Sequence, residues 1–192
     1  MATVETLTPG YIAGTWAIDP THSEASFTAR HLMVSKVRGR FTSFDAHIVT
    51  GADPLASSVT ASIDLSSIDT DNEDRDAHLR TADFFDVEQH PVMTYQSTGV
   101  RAKHGSETEF VIDGLLTLHG ITREVPLDLE VNGFTDSPFG DTRAGFSATG
   151  SISRKDFGIE FNIPMENGGV VVGDKINIAL EIEAILSIDD AV

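Results

Sequence analysis

Three histidines, His31, His78 and His119, have the plainest metal-ligand chemistry in this chain, since neutral imidazole is the commonest protein ligand for a transition metal. Together they would serve a metal-assisted enzyme. Their spacing follows no recognised ligand pattern, and neither HExxH nor a cysteine thiolate is present, so no metal is expected. Asp83 and Asp86 could form an acid–base pair, but with Asp76 they are better placed to cap and brace a short helix. There is no GxSxG, no Walker A loop and no Rossmann glycine fingerprint. Gly39, Gly120, Gly158, Gly168 and Gly169 are read as turn residues rather than a phosphate cradle. The expectation is a protein that is not an enzyme and carries no cofactor.

The other chemistry-bearing stretch is basic. His31 to Arg40 holds Lys36, Arg38 and Arg40, three of 13 Lys and Arg residues, and Arg30 adjoins it. It is the best anion site in a chain of net charge −17, able to meet an anionic headgroup through charge-assisted hydrogen bonds. The competing reading pairs these bases with acids of the helix. His31 falls on an inward strand parity and is the best single headgroup contact, although a satisfied core histidine would look the same. The overall charge excludes nucleic acid, whose phosphates need Lys and Arg, and strong adhesion to anionic membranes. The first basic residue is Arg30, so the start of the chain lacks the basic and apolar regions of a signal peptide. No run reaches the length of a membrane span. A cytoplasmic protein is expected, though a trimmed mature form would look alike.

Both sets of residues depend on one helix and a series of strands. Ile68 to Asp86 (IDTDNEDRDAHLRTADFFD) is the one convincing helix. Thr70 and Glu73 fit a capping box, and Asp71–Arg75 and Asp76–Arg80 have favourable i,i+4 order. The spacing predicts a helix over 71–81, ending ahead of Phe84-Phe85 as a lid or brace. Elsewhere period-two alternation predicts strands over 15–19, 24–33, 37–49, 59–65, 92–100, 109–118, 121–131, 143–153 and 176–186. The fold class is therefore all-β: a single antiparallel barrel of about eight strands, closed because closure removes edges. Residues 14–188 form this domain, with a lead-in over 1–13 and a tail over 189–192.

Its inward faces are unusually small. Ala25, Ala29, Ala61, Ala144, Ala148, Gly150 and Ala184 all point inward by parity. Small residues suit a barrel's taper, but so many on several strands point to an interior left partly open. An apolar void costs about 24 cal/mol per Å³, so ~300 Å³ would cost about 7 kcal/mol and favour a lipid occupant.

The segments IDTDNEDRDAHLRTADFFDVEQHP, HLMVSKVRG (His31–Gly39), LTLHGIT (Leu116–Thr122) and RKDFG (Arg154–Gly158) together resemble the YceI-like family of lipid-binding proteins, from about Gly14 to Ile188. The resemblance implies a lipocalin-like barrel that binds, transports or stores an isoprenoid lipid: a polyprenyl chain, quinone or polyprenyl phosphate. The candidate wall is Phe27, Ala29, His31 and Met33, then Leu116, Phe146 and Ala148, then Ile178 and Leu180. Phe84 and Phe85 would close it, and Arg38 would meet the headgroup. The expected partner is the lipid alone, without nucleic acid or stable membrane insertion. Room remains for transient membrane contact, for a homodimer, and for the rival reading of a ligand-free stress or interaction module.

Overall fold

The structure is a computed structural model that describes residues 8–166 and 169–187. The first seven residues of the expected lead-in, Asn167 with the expected turn residue Gly168, Ile188 and the 189–192 tail lie outside the described residues. The strands in chain order are β1 (Gly14–Ile18), β2 (Glu24–His31), β3 (Ser35–Phe41), β4 (Phe44–Thr50), β5 (Ser58–Asp64) and β6 (Ile68–Asp69). The helix α1 (Glu73–Leu79) follows, and then β7 (Val92–Ala102), β8 (Glu109–Leu118), β9 (Ile121–Glu124), β10 (Leu127–Asp136), β11 (Thr142–Ser153) and β12 (Val172–Leu186).

Hydrogen bonding runs β1-β4-β5-β7-β8-β10-β11-β12, and β12 pairs back to β1, which closes an antiparallel ring of eight strands. The long β12 makes closure possible by sharing one edge. Ile18 opposes Ala184 at its far end, while Ala29 opposes Ile176 and Ala25 opposes Leu180 nearer its start. β1 and β2 thus behave as one bent strand along β12. β3 and β4 form a second bent strand, because β2 pairs with β3 and β1 with β4. The expected unbroken strand over 37–49 is accordingly split at Thr42-Ser43. The strand expected over 121–131 breaks at Val125-Pro126, since proline has no N–H to give a ladder.

The helix is present but shorter than expected, and its cap differs. Asn72, not Thr70, is the N-cap, its side chain accepting from the Arg75 amide at 2.9 Å. Thr70 is drawn elsewhere: its amide and hydroxyl both donate to buried Asp76, at 2.9 and 2.5 Å. Neither expected i,i+4 ion pair forms, because backbone carbonyls claim the arginines: Arg75 Nη2 donates to Thr70 O and Arg80 Nε to Ser66 O.

One end of the barrel is plugged. Trp16 is fully buried with Phe110, Val131, Phe146, Ala144 and Ala184, and its indole N–H donates to Thr50 Oγ1 at 2.8 Å. The lead-in reinforces this end through Tyr11, whose hydroxyl donates to Gly51 O at 2.8 Å and whose ring packs edge-on to Phe134.

The candidate site is an apolar cavity with a polar mouth

Between that plug and α1 the barrel encloses a cavity of about 520 Å³. It exists because the inward residues divide into two kinds. Ala144 and Ala184 face each other across β11 and β12 and are small to admit Trp16 and its aromatic neighbours, so taper explains them. Ala25, Ala29, Ala61 and Ala148 line the open space itself. Gly150 answers to a third cause, since a Cβ there would stand 2.7 Å from Leu127 Cδ2.

Ten of the twelve expected residues line this cavity: Phe27, Ala29, His31, Leu116, Phe146, Ala148, Ile178, Leu180, Phe84 and Phe85. Two do not. β2 ends at His31, so the parity that would carry Met33 inward is lost: Leu32 and Met33 have φ of 50° and 61° and form the hairpin tip. Met33 and Val34 are exposed there. On β3 the inward residues are Val37, Gly39 and Phe41, which leaves Lys36, Arg38 and Arg40 facing solvent. The pairing with helix acids expected as the alternative is not what forms: the Arg40 guanidinium donates to Asp69 of β6 at 2.7 Å and lies 3.7 Å from Asp71, acids that both precede α1.

Two cationic residues at the mouth, Arg75 and Arg154, are not among the expected site residues. Arg75, His78 and Leu79 all line the cavity, and their i, i+3, i+4 spacing puts them on one face of α1. Arg154 continues the inward parity of Ala148, Gly150 and Ile152, and that parity could have found it. It is 3% exposed, and its five N–H groups are all committed. They reach Gly173 O, Ile159 O, Phe161 O, Val172 O and Asp174 Oδ1. It therefore fastens Ile159 and Phe161 to Val172 and Gly173 at the mouth rather than waiting for an anion. Arg75 Nε donates to Thr70 Oγ1 at 2.7 Å, while Arg30 and His31 line the opposite rim on β2.

The lid is aromatic. His78 lies edge-on to Phe84 and to Phe161, each at 5.1 Å between ring centroids, and its Nε2 is 2.8 Å from Asp83 Oδ2. The phenol of Tyr95, on the cavity wall, donates to Val125 O at 3.0 Å, and burial pushes it up to about 12, so it stays neutral. The trio His31, His78 and His119 is not assembled, since His119 lies off the cavity beside His90. Gly39 is also not a turn residue: it sits within β3 opposite Phe27.

The sequence matches the YceI-like domain family over residues 16–184. It is 42% identical over 174 residues to a UPF0312 protein of Staphylococcus epidermidis, covering 90% of this chain and 96% of that one. A UPF0312 protein of Staphylococcus aureus is 37% identical over 174 residues, covering 90% and 98%. Among solved structures, BcnA of Burkholderia cenocepacia superposes with a TM-score of 0.74 at 20% identity, over 86% of this chain and 98% of that one. The YCEI protein of Campylobacter jejuni gives 0.69 at 28% identity, over 83% and 90%. A polyisoprenoid binding domain from Saccharophagus degradans gives 0.66 at 16% identity, over 92% and 100%. Among the described residues no helix is long and apolar enough to cross a membrane.

Proposed function

The chain belongs to the YceI-like family, and from that premise we propose that it binds an isoprenoid lipid inside the barrel, as a carrier or store rather than as an enzyme. The observation that carries this is the cavity of about 520 Å³, within the ~300–1,000 Å³ of small-molecule sites. Left dry, a hollow of 520 Å³ would cost about 12 kcal/mol at the cavity coefficient. That is comparable to a domain's whole stability, roughly 5–15 kcal/mol. A flexible apolar chain removes the cost, and polar ligands have few partners along such a wall. The description of the Saccharophagus relative as polyisoprenoid-binding supports the same class of ligand. An anionic headgroup would rest among Arg30, His31 and Arg75 at the mouth.

Loading from a bilayer has a structural basis in the β2–β3 tip. Leu32, Met33, Val34 and Ile163 are exposed apolar residues, and the Leu32 amide donates to Val171 O at 2.9 Å. Arg30, Lys36 and Arg38 flank the tip. The net charge of −17 opposes lasting adhesion, so the contact we propose is transient, with the tip dipping into the interface while the lipid exchanges. Since the lipid's reference state is the membrane, only the difference between two apolar hosts drives transfer.

The test is organic extraction of freshly purified protein followed by mass spectrometry. About one prenyl lipid per chain is expected. Extracts without lipid, from protein that also takes up no prenol or quinone, would leave a ligand-free module as the better reading.

A further inference from the structure

Asp86, His90 and His119 lie outside the cavity wall, and their ligand atoms all fall within 4.8 Å of one another. We propose that they form a binding site for a borderline divalent cation of the Zn(II) class, joining the segment after the lid helix to the β8–β9 hairpin.

The site is assembled by backbone features that are otherwise hard to account for. The His90 amide donates to Asp86 O at 2.8 Å, a single helical turn that stacks the two side chains at i,i+4 spacing. Asp86 holds φ at 48° to start it. Opposite, His119 and Gly120 are the two residues of the β8–β9 turn, with φ of 53° and 72°. Such turns favour Asn, Asp or Gly at both places, yet an imidazole occupies the first. Gly120 then makes room for its partner: a Cβ there would stand 2.8 Å from His90 Cε1. The two rings lie 5.1 Å apart, edge to face.

The protonation pattern suits a ligand. His119 Nδ1 is 3.1 Å from Phe157 O. A carbonyl oxygen can only accept, so Nδ1 carries the proton and Nε2 is left with a free lone pair. A backbone carbonyl on the far nitrogen is the usual orienting partner of a metal-bound histidine. Two imidazoles and a carboxylate match Zn(II), with a fourth position open to water. Ligand atoms of a tetrahedral site stand about 3.3 Å apart, so the side chains must close in by roughly an ångström. All three are half-buried, accessible to an ion yet shielded from bulk water. A second cluster, Asp19, His22 and Glu183, has similar spacing, but the Arg143 guanidinium already lies between its carboxylates and would repel a cation.

The test uses tag-free, chelator-treated protein titrated with Zn(II) by calorimetry, with Co(II) replacing it for visible spectra. One saturable ion per chain is expected, with d–d bands of a nitrogen and oxygen site. His90→Gln, or His119→Asn, which keeps a turn-compatible residue, should weaken binding by at least about tenfold, while His22→Gln should not. On the unmutated chain, Zn(II) should shift the ring NMR signals of His90 and His119, a readout independent of how the variants fold. Absence of saturable binding, unmoved ring signals, or equal affinity in the ligand variants would each overturn the proposal.

Discussion

Phe27 and Gly39 oppose each other across β2 and β3, and the phenyl ring fills the place of the missing side chain: a Cβ on residue 39 would lie 2.4 Å from Phe27 Cζ. The glycine thus sets the position of an aromatic wall of the cavity. Gly39→Val should push the ring inward and lower stability by about 1–3 kcal/mol. Urea unfolding measures the cost, and a fluorescent prenol assay should show reduced uptake. Unchanged values for both would mean the ring has room to step aside.

Ala148 tests the volume directly. It lies between Leu129 and Leu180 in the sheet and lines the cavity. In a packed barrel Ala148→Phe would cost about 1–3 kcal/mol. Here the ring has space, so melting of delipidated protein should be unchanged or higher while lipid uptake falls. Destabilisation with normal uptake would count against the cavity at that position.

Arg154 should not tolerate lysine. An ammonium has three donors and cannot span the four carbonyls and one carboxylate that the guanidinium reaches. Leaving buried carbonyls unpaired should cost about 2–4 kcal/mol for Arg154→Lys. Hydrogen exchange should rise over 159–163 and 171–173 first, and lipid should leave faster because Ile159, Phe161, Ile163, Val171 and Val172 line the mouth.

The Asp19–His22–Arg143–Glu183 cluster gives stability a pH dependence. The hydrogen bond to Asp19, and then its charge, raise the His22 pKa above the ordinary 6.5. Its contribution is complete below 6.5 and is lost as pH rises through the raised folded value. Asp19 moves the other way: hydrogen bonds from Thr21, then His22, hold it well below the usual 3.8, so its contribution is lost only in strong acid. His22→Gln should therefore lower the melting temperature at about pH 5.5 and have less effect at about pH 9. A pH-independent difference would show that the imidazole serves by packing alone.

Val34 reports on the membrane contact. It is 79% exposed at the hairpin tip, so Val34→Asp should leave the fold and equilibrium lipid capacity intact. Transfer of prenol from phosphatidylcholine vesicles should slow several-fold. Equal transfer rates would place loading elsewhere.

Much of this protein is determined by the sequence alone, because strand periodicity is a local property. Alternation along β8, β11 and β12 is enough to define which residues face in, and inward Ala29 and Ala148 already imply an interior that is not full. Even Arg154 is legible by that rule. Met33 and Arg38 mark where it stops: Met33 lies past the end of β2, and Arg38 has the outward parity of β3, which depends on where the hairpin turns. Tertiary structure alone decided the rest. Thr70 abandons the helix cap because Asp76 comes within 2.5 Å of its hydroxyl. Ala144 is small for Trp16 while Ala148 is small for the cavity, a difference set by depth in the barrel. His119 meets His90 and Asp86 rather than His31 and His78, because sheet closure brings the β8–β9 turn to the segment after α1. Periodicity assigns each residue a face, but only packing between distant segments assigns it neighbours.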